Sequence, residues 1–170
     1  MRYSSEVVRF GYPVLRDIAR PVVDFNKSLT KLLEVMKKTL MERDDGAALA
    51  APQIAVLQRV IVMDYEGEFL EVINPKYLFK SAELVNGTEG CLSLPEYFGN
   101  VMRHKTIKIE FYDRDGRKQI IERSDEVARC LQHEIDHLDG ILFVDRMTDH
   151  FVTNGKDQIE RTKYAKDIVT

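Results

Sequence analysis

Gln132-His133-Glu134-Ile135-Asp136-His137-Leu138-Asp139-Gly140 is the stretch on which the reading of this chain turns. On a helix, residues four apart share a face, with Cβ atoms about 5–6 Å apart. His133 and His137 therefore bring two imidazoles to one point, a spacing that suits a single metal ion. Glu134 lies roughly 100° around the same turn, beside that point and not on it, where a carboxylate can accept a proton from a nearby water. The flanks predict the helix itself. Val127, Leu131 and Ile135 make an apolar stripe, with Ala128 and Leu138 beside it. Ser124, Asp125 and Glu126 read as an N-cap and an acidic first turn, and Gly140 is a stop signal. Histidine and glutamate also occur on solvated helix faces, so the pattern needs a third ligand before it means chemistry.

Catalytic sites of this kind hold three protein ligands and keep one position open. One known continuation runs His-x-x-Gly-x-x-His. The chain follows it to Gly140 and then places Phe143 where the histidine belongs, which excludes that class. A second continuation takes a downstream glutamate, and Glu160 is the candidate; the protein would then be a metallopeptidase. The third candidate is a cysteine. Cys130, one turn before the motif, reads as a small buried apolar residue. Cys91 lies in Glu89-Gly90-Cys91-Leu92-Ser93-Leu94-Pro95, a short extended segment in which Gly90 permits close backbone approach. A lone cysteine is usually core filling. Two histidines lacking a third partner shift the balance toward Cys91 as a ligand.

Three segments taken together resemble a known family. Gly46-Ala47-Ala48-Leu49-Ala50-Ala51-Pro52-Gln53, Glu89-Gly90-Cys91-Leu92-Ser93 and Gln132 to Leu138 stand in the order of the bacterial peptide deformylase motifs, Gly-x-Gly-Leu-Ala-Ala-Pro-Gln, Glu-Gly-Cys-Leu-Ser and Gln-His-Glu-x-Asp-His-Leu. Gly11-Tyr12-Pro13-Val14-Leu15-Arg16 is similar to the family's N-terminus, and the resemblance spans roughly residues 7 to 147. It implies removal of the formyl group from the N-formyl-methionyl end of new polypeptides, and antiparallel sheets wrapped around a central metal-binding helix. It implies Cys91, His133 and His137 as ligands of one divalent ion, iron(II) in the cell. The donor set alone also accepts zinc, nickel or cobalt. Glu134 would carry the proton, while the Gln53 amide and the Leu92 backbone N–H would donate to the oxyanion. Gly46, Ala47 and Ala48 on one side and Gly90 on the other would bind the peptide as an added strand. Phe98, Cys130 and Leu131 are candidate walls of the methionine pocket. Glu89 and Arg103 are read either as a charge pair beside the site or, for Arg103, as surface; Asp136 points away from the metal face and reads as support for it.

Ala48 departs from the family, which has glycine there. Its methyl is expected either to narrow the cleft or to sit in a cleft adapted to it. It would cost on the order of 1 kcal/mol if its φ were positive. The departure also admits a deformylase-like binding protein without turnover, against which Glu134 and Gln53 argue.

The rest of the chain bounds the answer. At 170 residues and 19.7 kDa, one catalytic domain over residues 1–170 is expected. A net charge of −3 gives no electrostatic case for stable nucleic-acid binding. There is no apolar run of membrane-spanning length and no signal-peptide core near Met1, so a cytoplasmic protein without membrane contact is expected. The 2 cysteines provide no disulfide framework. Lys27 to Glu42 predicts a helix with Leu29, Leu32, Leu33, Met36 and Leu40 on one face. Arg59 to Tyr65 and Leu70 to Asn74 predict strands, the second stopping at Pro75. Thr106 to Tyr112 and Lys118 to Glu122 predict a hairpin around Asp113–Gly116. Separate runs of helices and hairpins indicate α+β. Residues 149–170 are read as a helical tail, with Ile159, Ala165 and Ile168 lining a short helix after Asn154-Gly155. Lys156, Arg161, Lys163 and Lys166 there suggest a transient ribosome contact, but Asp157, Glu160 and Asp167 nearly balance them, which favours a plain solvated face.

Overall fold

Alternation of helical and strand periods along the chain resolves, in the computed structural model, into three helices and nine strands among residues 3–44 and 46–165, which are the residues it describes. The elements run α1 (Lys27–Met41), β1 (Ala48–Ala50), β2 (Val60–Tyr65), β3 (Glu68–Lys80), β4 (Leu84–Cys91), β5 (Leu94–His104), β6 (Thr106–Tyr112), β7 (Lys118–Ser124), α2 (Asp125–Leu138), α3 (Phe143–Arg146), β8 (Phe151–Thr153) and β9 (Gln158–Glu160). The strands form two antiparallel sheets, ordered β1-β2-β3-β6-β7 and β4-β5-β8-β9. The fold is α+β, as the sequence predicts.

The motif helix α2 lies between the sheets. Ala128, Leu131, Ile135 and Leu138 pack onto Ala50, Ile61, Met63, Val72, Ile107 and Ile109 of the five-stranded sheet. The opposite face of that sheet carries Leu49, Val60, Val62 and Ile73 and is covered by Leu29, Leu32, Leu33, Met36 and Leu40 of α1. Being covered on both sides explains the unbroken apolar run Val60–Met63, which reads without alternation. α1 starts at Asn26, whose Oδ1 accepts from the Ser28 and Leu29 amides. Ser124 occupies the N-cap position of α2, but its hydroxyl bonds Thr106 Oγ1 instead of capping the helix.

Two expectations are corrected. β3 does not stop at Pro75. Asn74 takes φ 53 and the register with β6 shifts between Ile73 and Lys76, so the proline, which has no N–H to pair, falls in a bulge and the strand continues to Lys80. Where a helix is expected, the described part of the tail is a hairpin over 151–160 followed by a 3₁₀ turn at Arg161–Lys163. Asn154-Gly155 turns the chain, with Gly155 at φ 86 and Asn154 Oδ1 accepting from the Lys156 and Asp157 amides, and β8 pairs with β9. Ile159 and Ala165 pack inward against a cluster that includes Phe10, Leu15, Val144 and Val152, while Ile168 and Lys166 lie outside the described residues. The turn-forming Asn-Gly pair, flanked by strand formers, is a hairpin signal that outweighs the helical spacing.

The end of α2 is fastened to the N-terminal segment. Ala19 N–H donates to Leu138 O at 2.9 Å and Arg16 Nη1 to Gly140 O at 3.2 Å. Gly140 takes φ 68, and a Cβ there would lie 2.4 Å from Arg16 O. Both the left-handed backbone and the overlap with main-chain atoms oppose any side chain. Gly140→Ala should therefore cost at least about 2 kcal/mol of stability. Equilibrium denaturation measures this, and a loss under about 0.5 kcal/mol would show that the segment around Arg16 yields freely.

Candidate active site

Three local structures converge on one point. α2 supplies His133, Glu134 and His137. The turn from β4 to β5 supplies Cys91, Leu92 and Ser93, with a register shift between Gly90 and Cys91. A 3₁₀ turn, Ala51–Ile54, supplies Gln53. The last two are fastened by the N-terminal segment, where Val8 N–H donates to Gln53 O and Phe10 N–H to Ser93 O, both at 2.9 Å. Within the site, Gln53 Oε1 accepts from Ala50 N–H at 2.9 Å. Its Nε2 lies 3.2 Å from Ser93 Oγ and 3.5 Å from Cys91 Sγ.

Cys91, His133 and His137 each offer a ligand atom, and these atoms lie within 4.8 Å of one another. Cys91 Sγ and His137 Nε2 are 3.3 Å apart. Bonds of about 2.0–2.3 Å in tetrahedral geometry place ligand atoms roughly 3.3–3.8 Å from each other, so the donor set fits a transition-metal dication. The orientation of His133 is fixed, since its Nδ1 bonds Glu89 Oε2 at 2.9 Å and leaves Nε2 for an ion. Phe143, the residue that stands where another class has its third histidine, is buried and stacks on the His133 ring at 6.0 Å. Glu160 is not near this point. It lies on exposed β9, and its Oε2 accepts from Thr162 Oγ1.

A cavity of about 240 Å³ opens beside the three donors. Gly46, Ala47, Ala48, Gly90, Phe98 and Cys130 line it together with Cys91, Leu92, His133 and Glu134. The cavity sits between β1, an edge of one sheet, and β4, an edge of the other. Phe98 is paired across from Gly90, and its ring would lie 2.7 Å from any Cβ placed there. Leu131, expected as a wall, faces the sheet core instead, and Tyr65 and Arg129, not expected, line the cavity. Gln53 and His137 are almost fully enclosed behind the cavity.

The charge pair expected between Glu89 and Arg103 is present and buried, not surface, with Arg103 Nε and Nη2 donating to the two Glu89 oxygens at 2.8 and 2.9 Å. Burial opposes ionisation of Glu89, but the bonds from Arg103 and His133 outweigh it and hold the carboxyl well below the usual range. Glu134 is the opposite case. Burial pushes its pKa up to about 7 against the pull of His133, and its Oε2 is buried with no hydrogen-bond partner among the described residues. Glu134 lines the cavity, and the Ala50 backbone N–H and His133 act against the effect of burial on its carboxyl. Asp136 does support the site from behind, bonding Arg103 and Arg146. Beyond the residues expected from the sequence, Tyr65, Ser93, Arg129 and Arg146 also take part. An arginine on the buried face of α2 was a readable flag for Arg129, since unpaired charges are almost never buried; Arg146 gave no local signal.

Histidines and a cysteine aimed at one ion, with a carboxylate of raised pKa beside them in a cleft, define a metal-dependent hydrolase. The chain belongs to the polypeptide deformylase family, whose model matches residues 4–151. It is 43% identical over 154 residues to the peptide deformylase of Thermoanaerobacter pseudethanolicus, covering 91% of this chain and 96% of that one. The peptide deformylase of Nautilia profundicola is 38% identical, with 95% and 91% covered. Among solved structures, the peptide deformylase from Thermotoga maritima superposes with a TM-score of 0.82 at 40% identity, covering 88% of this chain and 99% of that one. The Synechococcus elongatus enzyme in complex with actinonin gives 0.81 at 38% identity, with 85% and 79% covered. The activity is the family's: metal-dependent hydrolysis of the formyl group from the N-terminal formyl-methionine of newly made polypeptides. The metallopeptidase and binding-protein readings are set aside.

The geometry sets a direct test of the third ligand. Cys91→Ala should lose most bound metal and activity, whereas Glu160→Ala should keep both. Elemental analysis of the purified variants reads this out, and wild-type metal loading in Cys91→Ala would rule the cysteine out as a ligand.

Proposed function

We propose the following roles for the residues of this deformylase site. Cys91, His133 and His137 hold the ion, iron(II) in the cell, although the same donors accept zinc, nickel or cobalt. When bound, the ion supplies Lewis acidity, lowering the pKa of water and polarising the formyl carbonyl. Glu134 accepts the proton of the attacking water and delivers it to the leaving amine. Gln53 Nε2 donates to the developing oxyanion, with its second N–H engaged by Ser93, and the Leu92 backbone N–H is the other donor. The single observation that carries this reading is a buried Glu134 oxygen without a hydrogen-bond partner, on the helix that carries two of three ligand atoms lying within 4.8 Å of one another.

The N-formyl-methionyl peptide adds as a strand between the edges of β1 and β4, against Gly46, Ala47 and Ala48 on one side and Gly90 on the other. Two free strand edges bordering one cavity support this pose. Phe98 and Cys130 bound the pocket for the methionine side chain. The enzyme meets its substrate in the cytoplasm, with at most a transient ribosome contact. No helix among the described residues is long and apolar enough to cross a membrane.

Glu134→Ala should keep the metal and lose several orders of magnitude in kcat, because it removes the proton carrier and no ligand. Gln53→Ala should cost roughly 10²–10³ in kcat with little change in KM. Steady-state kinetics on a formyl-Met peptide decide both, and a change confined to KM in Gln53→Ala would make it a ground-state binder.

Ala48 is not among the residues at positive φ, and its side chain is enclosed with Ala50 and Met63 against α2. The methyl is therefore core packing as much as cleft wall. Ala48→Gly should cost about 0.5–1 kcal/mol in stability. It should leave kcat/KM on formyl-Met tripeptides within about twofold of wild type, a change smaller than 0.5 kcal/mol. A substantial gain in kcat/KM would show that the methyl obstructs the peptide.

A further inference from the structure

The charges behind His133 reach further than the pair beside the site. Glu89 holds His133 Nδ1 and grips Arg103 with both oxygens. The remaining arm of Arg103, Nη1, donates to Asp136 Oδ2 at 2.5 Å. Asp136 is held from its other side by Arg146, whose Nε and Nη2 donate to its two oxygens at 2.6 and 2.8 Å. The side chains of Glu89, Arg103 and Asp136 are 4%, 5% and 9% exposed, while that of Arg146 is 39% exposed. The relay thus runs from a ligand histidine to the protein surface. Arg146 does not line the cavity, and no step of deformylation uses it.

We propose that Arg146 is a positioning residue for the metal site: its fork on Asp136 fixes Arg103, which fixes Glu89, which fixes the His133 imidazole. This rests on the reading of Cys91, His133 and His137 as the ligand set. A ligating histidine is oriented by what its other ring nitrogen bonds. Glu89 can orient His133 only if its own carboxylate plane is held, and Arg103 is the group that holds it. Arg103 is a rigid planar fork shared between two carboxylates, so the position of Asp136 sets the tilt of the whole guanidinium. Asp136 lies on α2 with both histidines but has its second oxygen free of Arg103. Arg146 takes that oxygen and ties it to α3, on the far side of the Gly140 turn.

The alternatives predict different signs. If Arg146 acted only as a nearby positive charge, its removal would favour a dication and slow metal loss. If it acted only as a structural ion pair, the protein would melt earlier with the metal held as before. A positioning role predicts faster loss, and it predicts this for lysine too, which keeps the charge but cannot form the two parallel bonds.

The test uses the full chain, wild type beside Arg146→Met, Arg146→Lys and Glu89→Gln, each loaded with cobalt(II) and checked for native circular dichroism. Release of cobalt to an excess of chelator is followed with time, and the visible spectrum of the bound cobalt is recorded. Both Arg146 variants should release it about 3–10-fold faster, less than the 10–100-fold expected of Glu89→Gln, which removes the group bonded to the ligand itself. The cobalt bands should shift in both. Arg146→Lys decides the matter if Arg146→Met does not fold. Wild-type release rates and spectra with a lowered melting temperature would overturn the proposal, as would slower release in Arg146→Met with unchanged Arg146→Lys. Failure of the ligand assignment looks different. There the unsubstituted protein takes up no stoichiometric cobalt, or Cys91→Ala retains it as firmly, and the proposal falls with that assignment.

Discussion

Helix α2 is buried against both sheets, yet between Ala128 and Leu138 it carries Arg129, Gln132, His133, Glu134, Asp136 and His137. Enclosing such groups is costly unless each finds a partner. The β4–β5 hairpin supplies most of the partners, and α3 adds Arg146. Gln132 clamps the His104 backbone from both sides, accepting from its N–H and donating to its carbonyl. Arg129 donates to the Val85 and Val101 carbonyls and to Glu89. Asp136 takes two arginines and His133 takes Glu89. Among the described residues, the side-chain atoms left buried without a hydrogen bond are Arg129 Nε, Glu134 Oε2 and His137 Nδ1. All belong to α2, and two belong to the proposed chemistry. Of the three, Glu134 Oε2 is the one that the proposed chemistry needs as an acceptor; Arg129 Nε faces Glu126 at 3.6 Å, and His137 Nδ1 is the ring nitrogen turned away from Cys91.

That constraint also explains what the sequence hid. The inner face of the β4–β5 hairpin carries Glu89, Arg103, Gly87 and Gly99 along with Val101, because it faces a polar helix. Its outer face carries Leu84, Met102 and Phe98, which are 48%, 41% and 47% exposed. The hydrophobic pattern is thus partly inverted, and an 8-residue and an 11-residue strand showed in the sequence only as a short extended segment around Cys91. Local signals served well elsewhere. α1, α2 and the β6–β7 hairpin each have their own stripe, cap or turn, and the structure keeps them within a residue or two. The tail failed for the opposite reason, since two local signals conflicted and the turn chemistry of Asn154-Gly155 prevailed.

The candidate site was legible in a similarly uneven way. The histidine pair and Glu134 follow from helical geometry alone. Cys91 and Gln53 come from segments far apart in the chain, and nothing local states that the N-terminal segment fastens both turns through Val8 and Phe10. Such long-range assembly was readable only through the resemblance of the three motifs to a family. The arginines behind the proposed ligands are harder still to read. Arg146 is sequence-distant from Arg103 and Glu89, and its meaning appears only when Asp136 is seen between two guanidinium groups.

Two carboxylates near one ligand show how environment assigns roles. Glu89 and Glu134 are both about 5% exposed, so burial alone does not distinguish them. Glu89 receives two bonds from Arg103, one from Arg129 and one from His133, and stays ionised far below the neutral range. A group so held exchanges no proton with a substrate; its use is geometric. Glu134 has a bare oxygen, and burial lifts its pKa to about 7. A buried carboxylate with an uncommitted oxygen can take a proton from water and return it to an amine. The two side chains differ by the number of donors the fold brings to them. Exchanging the arginines around Glu89 for apolar residues would leave His133 as its one side-chain partner, so the carboxylate plane that orients the imidazole would no longer be held.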